Sequence, residues 1–256
     1  MTIKLNFEVI GKGKPLLILH GLFGSGRNLR TMARHFAESH RVYLIDLRNH
    51  GNSEHASSMT YPEMATDIAS LLSDTEPDSV SIIGHSMGGK VAMACSLERS
   101  LPVERLVVLD IAPVTYKGNF VEIIAALANL ELNEIESRKQ ASAKLALAIP
   151  EGNLRLFLLQ NLVQGPEGFY WRINLPAIQD SLGDIGGFPE YSTQQAFSGP
   201  ALFLAGADSN YIQPVYHEKI HAYFPDADIQ SVENAGHWLH ADQPGPVYQA
   251  ISQFLR

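Results

Sequence analysis

Five short apolar runs, separated by longer amphipathic stretches, set the strongest limit on what this chain can fold into. They occupy residues 15–20 (PLLILH), 41–46 (RVYLID), 79–84 (SVSIIG), 105–110 (RLVVLD) and 201–206 (ALFLAG). Near-continuous apolar runs, as opposed to alternating ones, belong to strands buried on both faces of a parallel sheet. Between them, residues 28–39 put Leu29, Met32, Ala33 and Phe36 on one helical stripe. Residues 61–73 do the same with Met64, Ile68, Leu71 and Leu72, and a helical run over 90–97 follows the third strand directly. This alternation predicts an α/β fold with a mostly parallel central sheet flanked by helices. The first five residues, Met1 to Leu5, read as the start of a further strand. From about residue 115 to 195 the rhythm breaks. Helical stretches such as 121–130 and 136–149 appear there with no convincing strand, which predicts a helical cap insertion in a single domain spanning 1–256.

Composition narrows the function. Of 256 residues, 45% are hydrophobic and 18% charged, enough apolar matter for a large core. The formal charge is −8 and no run of Lys or Arg occurs, so a nucleic-acid surface is not expected. Cys95 is the only cysteine, which rules out an internal disulfide and any multi-cysteine metal site. The N-terminus has neither the basic nor the apolar region of a secretory signal. No apolar run reaches the roughly 20 residues that span a bilayer. The expected location is cytoplasmic.

Gly84-His85-Ser86-Met87-Gly88 fits the pattern G-x-S-x-G, and it lies between an apolar strand and a helical run. That strand–turn–helix setting is what a nucleophile elbow needs, because the serine must sit in a strained turn with small neighbours on either side. Acyl transfer also needs two N–H donors for the developing oxyanion. Met87, next after Ser86, supplies one, and Leu22, in the His20-Gly21-Leu22-Phe23-Gly24 loop after the first run, is placed to supply the other. His237, in Ala235-Gly236-His237-Trp238, precedes a final helix starting near Pro244 and is the candidate general base. His240 is its nearest competitor and is expected to pack beside Trp238. Two carboxylates end strands after the nucleophile, Asp110 and Asp208. From the residues alone, either can orient His237. Residues 48–53 are expected to form a buried polar turn that braces the oxyanion loop, with Arg48 alternatively greeting an anionic substrate. Cys95, among Ala92, Met93 and Ala94, reads as a packed, inert thiol.

Taken together, HGLFGS, DLRNHGNS, GHSMGG, LDIAPV and AGHWLHADQP resemble the α/β-hydrolase superfamily, and more narrowly the YbfF-like bacterial esterases and their mitochondrial abhydrolase relatives. The blocks run from Leu19 to Pro244. In most of the superfamily the acid follows the later strand at the place held here by Ser209. The narrower group resembles this chain in having serine there and its acid at the position of Asp110, so the resemblance implies Asp110, with Asp208 as the alternative. It also implies carboxylic esters and acyl-CoA thioesters as substrates.

The mechanism expected of these residues is an acyl-enzyme cycle on a small ester or thioester, with no metal and no organic cofactor. The same residues also serve lactone opening, C–C bond hydrolysis, cofactor-free haloperoxidation or a ligand-binding receptor with vestigial hydrolysis. Leu127, Leu130, Phe157, Leu158, Leu162, Phe169 and Trp171 are candidates for an acyl pocket or for the core of the cap.

Overall fold

The computed structural model describes residues 2–73, 77–116, 118 and 120–256. The five apolar runs become five neighbouring strands of one sheet. Its members are β1 (Phe7–Ile10), β2 (Lys14–Leu19), β3 (His40–Ile45), β4 (Val80–His85), β5 (Val103–Leu109), β8 (Ala201–Gly206) and β9 (Ala227–Val232). Two further strands, β6 (Leu162–Gly165) and β7 (Gly168–Trp171), pair only with each other. The order across the sheet is β1-β3-β2-β4-β5-β8-β9, with β1 antiparallel to β3 and every other pair parallel.

Because side chains alternate along a strand, each run feeds two apolar layers. Leu17, Leu19, Ile82, Val108 and Phe203 face one layer, with Met64 and Ile68 of α2 (Tyr61–Leu72) and the buried face of α3 (Met87–Leu97). Leu16, Ile18, Ile83, Val107, Leu202 and Leu204 face the other. That layer is covered by α1 (Arg30–Phe36) and α11 (Pro244–Phe254) through Met32, Phe36, Val247 and Ile251. Burying each such side chain stabilises the fold by about 1.5–3 kcal/mol before entropy is counted. Thr60 starts α2 with a reciprocal cap: its side chain accepts the Glu63 amide, and the Glu63 carboxylate accepts the Thr60 amide.

Between β5 and β8 lie α4 (Phe120–Ala128), α5 (Arg138–Leu145), α6 (Gly152–Leu158), α7 (Leu175–Asp180) and α8 (Leu182–Gly186). The expectation of no strand in this stretch is corrected: the β6–β7 hairpin sits inside it. The first strand is also later than expected, at Phe7–Ile10. A 3₁₀ turn over Gly26–Leu29 precedes α1, and α9 (Pro214–Tyr223) and α10 (Leu239–Asp242) complete the α-helices among the described residues. None of these helices is long and apolar enough to cross a membrane.

The chain runs from β2 outward to β3 and then returns to place β4 on the other side of β2. The loops leaving the carboxyl ends of β2 and β4 therefore diverge and open a crevice between them. The loop holding Leu22 and the turn holding Ser86 are those two loops.

Candidate active site

Ser86 is the single residue between β4 and α3, with φ 53° and ψ −121°. This left-handed geometry is strained for a side chain with a Cβ and points it out of the strand end. The flanking glycines make the turn possible. A Cβ on Gly84 would lie 2.2 Å from the Gly88 carbonyl oxygen, and one on Gly88 would lie 2.4 Å from that of Leu19. The Ser86 carbonyl accepts the amides of Gly89 and Lys90 at 2.8 and 3.2 Å, closing the first turn of α3. Neither Met87 nor Leu22 donates its amide to any acceptor among the described residues, although both residues are buried.

His237 meets Ser86 across 151 residues, its Nε2 lying 2.9 Å from Oγ. Its Nδ1 lies 2.7 Å from Asp110 Oδ2. Asp110 follows β5 directly, is fully buried and has φ 53°, a conformation Asp tolerates better than most residues. Its Oδ1 accepts the Gly206 amide at 3.0 Å, and Oδ2 also accepts the Ser209 hydroxyl. Asp208, the other candidate acid, is exposed, and its carboxylate makes no hydrogen bond among the described residues. The Tyr211 ring stacks on His237 with centroids 4.1 Å apart. Tyr116 holds Tyr211 by donating its hydroxyl to the Tyr211 carbonyl, and accepts the Ala112 amide at 2.8 Å.

The Leu22 loop is braced from the turn after β3. The Leu47 amide donates to His20 Nε2 at 2.9 Å and the Phe23 amide to His50 Nε2 at 3.1 Å. The other ring nitrogens therefore donate, His20 to the Gly21 carbonyl and His50 to the Arg48 carbonyl, both at 2.8 Å. Each imidazole is thus a neutral bridge. Burial holds the pKa of His20 below its ordinary value and pushes that of His50 down to about 3. Arg48 is itself buried. Its guanidinium grips both oxygens of Asp67 at 2.7 and 2.9 Å and pairs with Glu63 at 3.2 Å, so it anchors the turn to α2 and does not face a substrate. Asn161 ties the far side of the loop by donating to the Phe23 carbonyl at 2.8 Å.

A cavity of about 420 Å³ opens over Ser86 and His237, walled mainly by Phe23, Phe120, Ile123, Leu154, Phe157 and Trp238. Of the seven apolar residues singled out from the sequence, only Phe157 lines it. Leu127, Leu130, Leu158 and Leu162 are buried in the core, and Phe169 and Trp171 pack against it. Among the described residues, no group of three or more His, Cys, Asp or Glu side chains is arranged to hold a metal ion.

The alpha/beta hydrolase fold family matches residues 14–244. This chain belongs to that family. It is 41% identical to the sn-1-specific diacylglycerol lipase ABHD11 of Mus musculus, over 94% of this chain and 80% of the relative. It is 37% identical to Esterase YbfF of Escherichia coli (strain K12), over 94% and 92% respectively. A solved marine microorganism esterase superposes with a TM-score of 0.95 at 38% identity, covering 99% of this chain and 100% of that one. The chain is accordingly an esterase/lipase-type α/β hydrolase.

Several residues around the hydrolase's site carry no sequence signal. Tyr211 and Tyr116 reach it through contacts that no spacing encodes. Lys90 belongs to the same group. It is buried on α3 and donates to the carbonyls of Val114, Gly186 and Gly187 at 2.9, 3.1 and 2.5 Å. Burial lowers its pKa to about 7. His240 borders the cavity with its ring 4.6 Å from His85, and its buried Nδ1 has no hydrogen-bond partner among the described residues. Burial and the neighbouring His237 lower its pKa to about 4. Cys95 is fully buried, which pushes its thiol up to about 12 and leaves it protonated.

Proposed function

We propose that the hydrolase cleaves carboxylic esters by two-step acyl transfer, with Ser86 as nucleophile, His237 as general base and then acid, and Asp110 orienting the ring. The observation that carries this reading is one imidazole bonded through Nε2 to a serine hydroxyl and through Nδ1 to a fully buried carboxylate. As Ser86 Oγ attacks the ester carbonyl, its proton passes to His237, and Asp110 stabilises the imidazolium that forms. The amides of Leu22 and Met87 receive the oxyanion, and their lack of another acceptor supports that role. His237 then protonates the departing alcohol. Water next yields a proton to His237 and attacks the acyl-enzyme, freeing the acid and restoring Ser86. A thioester such as an acyl-CoA enters the same cycle with a thiol leaving in place of the alcohol.

The apolar walls of the cavity suit an ester with an apolar acyl group, and the similarity to a diacylglycerol lipase and to esterases supports that choice. We read residues 115–195 as a cap on a single hydrolase domain. It supplies Phe120, Ile123, Leu154 and Phe157 to the cavity and so sets which esters fit. The test is turnover of p-nitrophenyl butyrate by Ser86→Ala, with circular dichroism as the control for folding. The expected fall in kcat is about 10⁶-fold. Turnover near the parent rate in a folded variant contradicts the assignment.

A further inference from the structure

We propose that the groove between α5 and α6 docks the hydrolase on an anionic phospholipid surface, holding the mouth of the Ser86 cavity against the layer that carries its ester. The groove encloses about 920 Å³, and its walls include Arg27, Arg138, Lys139 and Arg155. None of these four cations enters an ion pair among the described residues, and no carboxylate lines the groove. Neutral acceptors hold two of them in place. Arg138 donates to the Leu162 carbonyl at 3.0 Å. Arg155 donates to Ser142 Oγ at 3.2 Å and to the Ile149 and Pro150 carbonyls, both at 2.7 Å. Their charge is left for an anion from outside. In a chain of net charge −8, such a patch is a local reversal of the overall field.

Helix α6 and the connection leading to it from α5 expose large apolar side chains. Leu156, in the groove wall, is 64% exposed, and Leu147, directly after the wall residue Ala146, is 95% exposed. Leucines in solvent beside unpaired cations match the two needs of a lipid boundary: apolar side chains enter the acyl region while cations meet the phosphates. A small soluble anion would engage the cations and leave the leucines without a role. The position fits delivery of a lipid. Helix α6 turns Arg155 and Leu156 to the groove but Leu154 and Phe157 to the active-site cavity. Asn28 borders both and donates to Gln160 at 2.8 Å. The purpose of docking rests on the ester-hydrolase reading, whereas the binding itself does not.

The experiment sediments the full chain carrying Ser86→Ala with two kinds of vesicle, phosphatidylcholine alone and phosphatidylcholine mixed with phosphatidylserine. Binding is expected only to the mixed vesicles and weakens as salt rises. It falls by at least about tenfold in the Arg27→Glu/Lys139→Glu double variant and in Leu147→Asp. With Ser86 intact, the same substitutions leave hydrolysis of soluble p-nitrophenyl butyrate unchanged, which reports that they fold. Equal binding to both vesicles, or variants that bind like the parent, overturns the proposal. Binding of inorganic pyrophosphate in the groove without vesicle binding also overturns it, because the site would then serve a small anion. Since Ser86→Ala removes the chemistry, loss of vesicle binding counts against the docking surface alone. Failed esterolysis by the protein with Ser86 intact, with vesicle binding retained, counts against the ester-hydrolase reading alone.

Discussion

The Asp110 side chain is fully buried, and three donors meet its two oxygens: the His237 ring, the Ser209 hydroxyl and the Gly206 amide. With no solvent in reach, each of its oxygens is bonded by the protein instead. Asp110→Asn is expected to lower kcat by about 10⁴-fold, by holding the wrong imidazole tautomer, while Asp208→Asn leaves it unchanged. Steady-state kinetics of the two variants decide this, and the reverse outcome would move the acid to Asp208. Ser209→Ala removes one charge-assisted hydrogen bond and should cost kcat about ten- to a hundredfold. An unaltered rate there would make Ser209 a packing residue. From the residues alone Asp110 and Asp208 were equivalent, because β5 and β8 are neighbours and their carboxyl ends open on one edge. What separates them is backbone: the positive φ of Asp110 lies at a buried strand end, whereas Asp208 sits in an exposed turn. No composition or spacing encodes that difference, and only the family resemblance pointed to Asp110.

At the scale of elements, the turn between β4 and α3 was legible because its constraint is steric and therefore written in residue types. Gly88→Ala tests it. The added methyl would press on the Leu19 and His20 carbonyls and is expected to destabilise by about 1–3 kcal/mol or more, read as a lower urea midpoint. A midpoint equal to the parent's would mean that β2 and α3 yield freely. The five inner strands were equally legible, since burial on both faces demands continuous apolar runs. The edges were not. Strand β9, ADIQSV, is half polar because one side meets water, and β1 lies on the opposite edge with most of its side chains exposed. The β6–β7 hairpin was missed in a stretch read as helical, because each arm has four residues and finds its partner only in the other. The cavity walls were hidden for a different reason. Phe23, Phe120, Leu154 and Trp238 come from separate segments, and no spacing within any one segment shows that they meet.

For the whole molecule, two buried bases link protonation and packing to stability. His50 accepts the Phe23 amide only while neutral, and its folded pKa of about 3 lies below the ordinary 6.5. Between those values the unfolded chain binds the proton and the folded chain does not. Its contribution is therefore complete above about pH 6.5 and declines as pH falls toward 3. Thermal melts across that range should be flat above pH 6.5 and fall below it; a melting temperature unchanged down to pH 4 would contradict the neutral bridge. Lys90 joins α3 to the Val114 carbonyl after β5 and to the Gly186 and Gly187 carbonyls at the end of α8. Lys90→Met leaves three carbonyls without this donor and is expected to lower the melting temperature by about 5–10 °C. No change would mean that the insertion docks without it. The central claim is that the Ser86 hydroxyl is activated by His237 across 151 residues of chain. A fluorophosphonate probe, followed by peptide mapping, tests it most directly. The account predicts one adduct, on Ser86, formed rapidly in the parent and at least about 10³-fold more slowly in His237→Ala. An adduct on another serine, or labelling of Ser86 at an undiminished rate without His237, would contradict it.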